Sequence, residues 1–289
     1  ETMRAVVIRE PGGPEVLELR DVPVPPLAPG EIRVRVGTSG VNRADLLQRR
    51  GGHPAPPGSP RDIPGMEFAG TVDQVGEGVT RWRSGDRVMG IIGGGGYAQF
   101  VVTHEDAAVR IPEVLGMEEA GAIPEVFMTA FDAVVLQEGL RAGEALLVHA
   151  VGSGVGTAGL QLGRAFGARV VGTSRSPDKL RKAEELGLEH PVLGDEGWPE
   201  RVLEITGGRG VDVILDLVGG PYLAGNQKVL APGGRHIVVG VTGGAKTEVD
   251  LRALMTRRGS IRGTVLRVRP VEEKVALTRA FEARALPFF

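Results

Sequence analysis

The glycine-rich segment Val151 to Gly156 is the part of the chain whose residue types and spacing are best suited to binding chemistry. It follows an apolar run, Ala145 to Val148, and precedes an amphipathic stretch to Phe166 and a second strand-like run, Arg169 to Thr173. Glycines let a backbone approach a pyrophosphate closely, and the first turn of a helix offers unpaired N–H groups at its positive end. This order of strand, turn, helix and strand predicts a dinucleotide site.

The end of the second strand indicates which dinucleotide is bound. A carboxylate there would accept hydrogen bonds from the ribose hydroxyls of NAD, but the run Ser174 to Lys179 begins Ser-Arg-Ser-Pro. Two cations, Arg175 and Lys179, and two hydroxyls occupy the place that a 2′-phosphate would take. Asp178 is interpreted as a first-turn residue of a helix that Ser176 caps. NADPH is therefore favoured over NADH.

Composition excludes several other classes of function. The chain has 289 residues, of which 42% are hydrophobic and 24% charged, and this is enough for two globular domains. A net charge of -2 gives no electrostatic reason to expect nucleic acid or an anionic membrane as a partner. No apolar stretch approaches the ~20 residues that span a bilayer. Charged residues interrupt the first ten positions, so we expect no signal peptide and a cytoplasmic location.

Metal chemistry is not expected either. The chain contains no cysteine, which excludes disulfides and zinc sites built from four thiolates. Imidazoles and carboxylates could still bind a metal, but the five histidines show no metal-binding spacing; they are His53, His104, His149, His190 and His236.

The pattern of predicted secondary structure changes near residue 122. Short strand-like runs separated by proline and glycine precede this point and predict a β-barrel-like domain; they are Met3 to Ile8, Val16 to Arg20, Ile32 to Val36, Gly70 to Val75, Arg87 to Ile92 and Tyr97 to Val102. A helix predicted over Ala120 to Leu136 leads into alternating strands and helices. Continuous apolar strands, such as Val213 to Leu215, indicate a parallel sheet covered on both faces. The predicted fold class is α/β, with a Rossmann-type doubly wound sheet.

Several motifs occur in an order that resembles the medium-chain dehydrogenase/reductase superfamily. They are Asn42 to Asp45, Pro64 to Gly70, Ser84 to Val88, Met128 to Ala130 and the turn from Ala150 to Gly156. The resemblance is closest to the zinc-free quinone oxidoreductase branch and covers nearly the whole chain. It implies a GroES-like catalytic domain at residues 1–122, joined by residues 268–289, and a Rossmann NADPH-binding domain at residues 123–267.

The resemblance also implies the type of substrate. Zinc-dependent members of the superfamily have a Gly-His-Glu motif with a metal ligand, whereas this chain has Gly65-Met66-Glu67. A thioether is a weak donor for catalytic zinc. Hydride transfer without a Lewis acid suits a substrate that is already electrophilic, such as a quinone or an α,β-unsaturated carbonyl.

Cofactor contacts follow from the same resemblance. Asn42 and Thr129 would face the nicotinamide; Gly154, Val155 and Gly156 would bind the pyrophosphate; Ser174, Arg175 and Lys179 would bind the 2′-phosphate; and Gly240 would allow close approach near the nicotinamide. Structural alternatives remain open. Asn42 and Asp45 could cap a helix, and Thr129 could hydrogen-bond within its own helix. Glu67 and Asp86 are interpreted as structural hydrogen-bonding groups.

Two departures from the family pattern bear on function. Relatives tend to place a tyrosine in the substrate pocket soon after the Asn-Arg-Ala-Asp run, and His53 occupies that place here. A histidine could protonate a quinone oxygen, because its ordinary pKa of ~6.5 is near neutrality, or it could be a solvated loop residue. Relatives also continue past the point that matches Phe289, so we expect the sequence to be truncated there.

Three functions are compatible with these residues. The leading hypothesis is NADPH-dependent, zinc-independent reduction of quinones. The second is reduction of an enone or a 2-enoyl thioester on the same scaffold, which needs an acid near the α-carbon. The third is a structural or regulatory NADPH-binding protein, as crystallins related to this fold suggest. Related proteins pair the edge strand predicted at Gly259 to Leu266 across a two-fold axis, which implies a homodimer.

Overall fold

The computed structural model describes all 289 residues, which divide into two compact units. The first unit comprises Glu1–Met128 and Leu266–Phe289, and the second comprises Thr129–Val265. No helix in either unit combines the length and apolar character needed to cross a membrane.

The first unit contains two antiparallel sheets. Strands β1 (Thr2–Ile8) and β2 (Leu17–Pro23) form one hairpin. The other sheet has five strands in the order β6-β3-β4-β5-β7; their bounds are β3 (Glu31–Thr38), β4 (Glu67–Val75), β5 (Arg87–Ile91), β6 (Phe100–His104) and β7 (Ala108–Arg110). Ile32 and Val34 are buried, while the intervening Arg33 is ion-paired with Asp73 on the other face. This alternation is the two-residue period expected of a half-buried strand.

Three α-helices lie entirely within the first unit. Helix α1 (Arg43–Arg49) follows β3, the short α2 (Met117–Ala120) follows β7, and α9 (Val271–Arg284) belongs to the C-terminal segment. Phe281 of α9 is fully buried, and the ring of Phe289 packs edge-on against Phe127 with their centroids 4.8 Å apart. The C-terminal segment therefore packs against the rest of this unit.

The second unit contains a six-stranded sheet with every neighbouring pair parallel. The strand order is β10-β9-β8-β11-β12-β13, with bounds β8 (Ala145–Val148), β9 (Arg169–Ser174), β10 (His190–Leu193), β11 (Val211–Asp216), β12 (Leu230–Val238) and β13 (Ser260–Gly263). The helices are α4 (Gly154–Ala165), α5 (Pro177–Glu185), α6 (Trp198–Ile205), α7 (Leu223–Val229) and α8 (Leu251–Arg257). The predicted Rossmann-type doubly wound sheet is confirmed, because the order reverses between β8 and β11.

Two predictions of local structure were wrong. The single helix over Ala120 to Leu136 is divided into α2, α3 (Pro124–Phe131) and a π-helical segment, Asp132–Gln137. Pro124 starts α3 because proline lacks an N–H and fits the first position of a helix. The strand predicted from Tyr97 begins only at Phe100, since the residues before it pair with β1 through the bond from Val6 N–H to Tyr97 O at 2.9 Å.

Candidate active site

Asn42 is the N-cap residue of α1, but its side chain makes no capping hydrogen bond to the helix. Asp45 Oδ2 accepts a hydrogen bond from the Asn42 backbone N–H at 2.8 Å, and Asp45 Oδ1 accepts one from Gly65 N–H at 2.9 Å. The Asn42 side-chain Nδ2 donates instead to Glu67 Oε1 at 2.6 Å. The capping alternative therefore holds for Asp45, whereas the Asn42 amide belongs to a separate polar cluster.

Glu67 is the centre of that cluster. It is buried, and its second carboxylate oxygen accepts the backbone N–H of Glu125 at 2.8 Å. Burial raises the pKa of Glu67, with the nearby Asp45 adding to the effect, while the hydrogen bonds from Glu125 N–H and Asn42 oppose it. Both oxygens have donors, which agrees with the interpretation of Glu67 as a structural hydrogen-bonding group.

Glu125 is a member of the cluster that sequence reasoning missed. Burial, followed by the charges of Glu67 and Asp45, raises the pKa of this carboxyl to about 8, although Arg267 and Lys274 act in the opposite direction. Glu125 is thus an acid that holds its proton near neutral pH. Glu125 lies in the first turn of the helix that begins at Pro124, an ordinary position for an acidic residue, so nothing local distinguishes it.

His53 lies in a loop held by a buried arginine. Its backbone adopts a φ of 49°, and its carbonyl oxygen accepts a hydrogen bond from Arg267 Nη1 at 2.8 Å. The same guanidinium donates to Gly93 O at 2.9 Å and to Gln48 Oε1 at 2.6 Å. Burial and the charge of Arg267 lower the pKa of His53. Its imidazole is therefore mainly neutral at pH 7, which weakens the suggestion that it donates a proton.

The glycine turn of the second unit has free backbone donors. Ser153 caps α4, and its Oγ accepts the N–H of Gly156 at 3.1 Å. The N–H groups of Gly154 and Val155 have no acceptor within the chain. A Cβ atom at Gly156 would lie 2.3 Å from Ala150 O, so only glycine allows the turn to close. Two free N–H groups at a helix N-terminus fit a pyrophosphate.

The predicted 2′-phosphate residues lie at the end of β9 and the start of α5. Ser176 caps α5, with Pro177 at its first position, as predicted. Ser174 is buried, whereas Arg175 and Lys179 are exposed and form no salt bridge. Asp178 instead pairs with Arg181. Two unpaired cations and no free carboxylate at this position fit the extra phosphate of NADPH.

Lys179 is also adjacent to the glycine turn. A Cβ atom at Gly152 would lie 2.6 Å from Lys179 Cβ, so the lysine stem packs directly over this glycine. The parts of the chain assigned to the pyrophosphate and to the 2′-phosphate are therefore neighbours in the folded unit, although more than twenty residues separate them in sequence.

Thr129 and Gly240 have different surroundings. The hydroxyl of Thr129 is buried and has no hydrogen-bond partner, so the alternative that it bonds within its own helix was wrong. An orphaned buried hydroxyl is uncommon and fits a group that a ligand completes. Gly240 donates its N–H to Asp216 O at 3.2 Å, and a Cβ atom there would lie 3.2 Å from Leu217 O. A glycine here therefore avoids a tight contact with Leu217 O.

The donor set of the chain does not fit a zinc ion. Met66, which replaces the histidine of the metal-binding motif, is 2% exposed. No group of three or more histidine, aspartate or glutamate side chains is arranged to hold a metal.

Two family models match the chain. One, described as the alcohol dehydrogenase GroES-like domain, matches residues 28–113, and the other, described as a zinc-binding dehydrogenase, matches residues 154–282. The fold and both models define a medium-chain dehydrogenase/reductase with a GroES-like first domain, as expected. A fold of this class implies a nicotinamide cofactor.

Curated relatives show which branch of this superfamily the chain belongs to. Quinone oxidoreductase of Sus scrofa is 33% identical over 285 residues, which cover 97% of this chain and 85% of the relative. Quinone oxidoreductase of Pseudomonas aeruginosa is 36% identical over 252 residues, covering 86% of this chain and 77% of the relative. The chain belongs to the quinone oxidoreductase branch of the medium-chain dehydrogenase/reductase superfamily, and the expected resemblance is confirmed. It is an oxidoreductase family with small-molecule substrates.

Solved structures show the same fold with varied activities. The structure of quinone oxidoreductase from Pseudomonas syringae has a TM-score of 0.81 and 29% identity, covering 98% of this chain and 89% of the other. An NAD-dependent alcohol dehydrogenase has a TM-score of 0.85 and 36% identity, covering 97% and 89%. The JamJ enoyl reductase has a TM-score of 0.85 and 26% identity, covering 100% and 88%. The fold alone therefore does not determine the cofactor or the substrate.

Proposed function

We propose that the protein is an NADPH-dependent, zinc-independent reductase of quinones. The main support for NADPH comes from the residues after β9. Arg175 and Lys179 are exposed there without acidic partners, and no carboxylate lies at the position where one would bind the ribose of NAD. Charge-assisted hydrogen bonds to a phosphate are about twice as strong as neutral ones, so two free cations favour the phosphorylated cofactor. The quinone oxidoreductase relatives support the substrate class.

In this proposal, different residues bind the different portions of the cofactor. The N–H groups of Gly154 and Val155 bind the pyrophosphate, and Ser174 joins Arg175 and Lys179 at the 2′-phosphate. Asn42 and Thr129 orient the nicotinamide end, and Gly240 leaves room beside it. When bound, the nicotinamide supplies a hydride equivalent. The protein supplies orientation and exclusion of water.

The substrate side of the proposal rests on the first unit. Because the donor set does not fit zinc, no Lewis acid polarises the substrate. The substrate must then be electrophilic without activation, as a quinone is. His53 is proposed as a neutral contact for the quinone oxygen, since burial and Arg267 lower its pKa. Arg267 positions the His53 loop through its bond to the His53 carbonyl.

Reduction of an enone or an enoyl thioester is a second candidate, favoured by one observation. That reaction requires a proton donor at the α-carbon, and burial raises the pKa of Glu125 to about 8, so this carboxyl is protonated at neutral pH. The JamJ enoyl reductase is among the structural relatives. If Glu125 is the proton donor to the α-carbon, Glu125→Gln abolishes enone reduction and leaves quinone reduction nearly intact.

One panel of assays tests both candidates. NADPH and NADH consumption is measured against ortho-quinones, para-quinones, enones and enoyl thioesters, with oxygen uptake recorded. Fast NADPH oxidation with quinones alone supports the first candidate, and turnover confined to enones or thioesters supports the second. Tight NADPH binding without turnover of any substrate would contradict both and favour the structural or regulatory alternative.

A further inference from the structure

Tyr222 is a partly buried side chain that lies outside the proposed set of cofactor contacts. It ends the single turn Gly220–Tyr222, and its ring packs edge-on against His149, with the ring centroids 4.8 Å apart. Trp198 covers the ring at 5.3 Å. The hydroxyl donates to the carbonyl oxygen of Gly194 at 3.2 Å. These contacts fix the hydroxyl just beyond the end of β10.

Gly194 connects this hydroxyl to the proposed phosphate site. Its N–H donates to Ser174 O at 2.9 Å. A Cβ atom at Gly194 would lie 2.6 Å from the Tyr222 hydroxyl oxygen and 3.5 Å from Arg175 Cγ. The tyrosine hydroxyl and the arginine side chain thus converge on one small space, which a larger residue at position 194 would fill.

The charges agree with this proximity. Burial raises the pKa of Tyr222, and the positive charge of Arg175 opposes that shift. The phenol therefore stays protonated at neutral pH and remains a hydrogen-bond donor beside a cation. A donor of this kind next to an arginine suits a phosphate oxygen.

We infer that Tyr222 is a specificity-determining residue whose hydroxyl hydrogen-bonds the 2′-phosphate of NADPH beside Arg175. The inference rests on the proposed preference for NADPH. In the absence of a phosphate the hydroxyl donates to Gly194 O, and rotation about its C–O bond redirects the proton. Gly194 is small because the hydroxyl and Arg175 need the space that a Cβ atom would occupy.

Calorimetric titration with nucleotide fragments tests the inference. The probes are adenosine 2′,5′-bisphosphate and 5′-AMP, which differ only in the 2′-phosphate. The wild type is compared with Tyr222→Phe, Gly194→Ala, Arg175→Ala and the double variant Gly194→Ala, Tyr222→Phe. Loss of one hydrogen bond to a charged group predicts a roughly tenfold weaker binding of the bisphosphate by Tyr222→Phe. Binding of 5′-AMP should not change.

Gly194→Ala is the independent arm of the experiment. The new methyl group displaces the tyrosine hydroxyl, so this variant should lose a similar factor for the bisphosphate. It should cause little further loss when Tyr222→Phe has already removed the hydroxyl, which makes the two effects non-additive. Additive losses would overturn the inference.

The remaining outcomes separate this inference from the proposed function. Equal binding of the two fragments by the wild type would contradict the NADPH preference itself. A preference that Arg175→Ala removes but Tyr222→Phe retains would leave the proposed function intact and overturn the inference. Equal weakening of both fragments by Tyr222→Phe would assign the tyrosine a purely structural part and would also overturn it.

Discussion

The amide of Asn42 donates a hydrogen bond of 2.6 Å to the buried carboxylate of Glu67. Removing the donor leaves Glu67 Oε1 with no partner in a buried site. We predict that Asn42→Ala lowers the free energy of unfolding by about 1.5–3 kcal/mol, the usual contribution of a hydrogen bond to a charged group. Urea denaturation at pH 7 measures the loss.

The same pair can be tested by a double-mutant cycle. In a Glu67→Gln background the charged acceptor is absent, so Asn42→Ala should cost clearly less than it does in the wild type. An equal cost in both backgrounds would mean that Asn42 stabilises the protein through other contacts.

Cofactor choice depends on two exposed cations. We predict that Arg175→Ala with Lys179→Ala weakens NADPH binding at least about a hundredfold, since each charge-assisted contact contributes ~1.5–3 kcal/mol before screening. NADH binding should barely change. The matched control, Arg169→Ala with Lys182→Ala, removes two positive charges from exposed positions outside the proposed site. Equal NADH and NADPH binding by the wild type would contradict the assignment.

Metal dependence offers a direct check of the zinc-independent proposal. Dialysis against a chelator should change neither the rate of quinone reduction nor the thermal midpoint, because the donor set offers no zinc site. Added zinc should also have no effect on either quantity. Activity that a chelator removes and zinc restores would contradict the proposal.

Stability should depend on pH through the buried His149. Its Nε2 donates to Asn226 Oδ1 at 2.6 Å and its Nδ1 accepts from Thr173 Oγ1 at 2.8 Å, which satisfies the neutral ring. Burial lowers the pKa of His149 to about 4. The unfolded chain therefore binds a proton on this imidazole between pH ~6.5 and ~4 that the folded chain lacks, so the contribution of His149 to stability falls by up to about 3 kcal/mol as the pH drops through this window. The raised pKa of Glu125 acts in the opposite direction over the same window.

Denaturation at pH 7 and pH 4.5 measures this effect. The effect of His149 is the difference between variant and wild type: on going from pH 7 to pH 4.5 the His149→Gln variant should lose less stability than the wild type, or gain more, whereas the control His190→Gln should follow the wild type. The pKa of the neighbouring Asp216 is lowered on balance, because hydrogen bonds from His236 and Gly219 N–H outweigh its burial. Asp216 therefore titrates below the window and does not account for the predicted slope.

We propose that the protein is a homodimer formed through the edge strand β13. This strand pairs only with β12, and the adjacent α8 exposes Leu251 and Met255, which are 67% and 76% accessible. An uncovered edge beside apolar side chains favours pairing with a second copy. Light scattering at micromolar concentration should give a dimer, and Ile261→Lys should shift it towards monomer. A monomeric wild type would contradict the proposal.

The sequence by itself determined the features that depend on neighbouring residues. The strand, glycine turn and helix around Gly154, the cap at Ser176 and the cations Arg175 and Lys179 lie in short segments, and their periodicity and turn chemistry can be recognised without tertiary contacts. The division between an antiparallel β-rich unit and a parallel sheet followed from the same local patterns.

Only the tertiary structure decided which distant side chains meet. The raised pKa of Glu125 depends on burial and on the charges of Glu67 and Asp45, which are 58 and 80 positions away in the chain. Arg267 reaches the His53 loop, and Tyr222 reaches Gly194, through contacts that no local pattern encodes. Burial and charge act through space, so the pKa of a group and the position of a hydroxyl depend on how the strands and helices pack together.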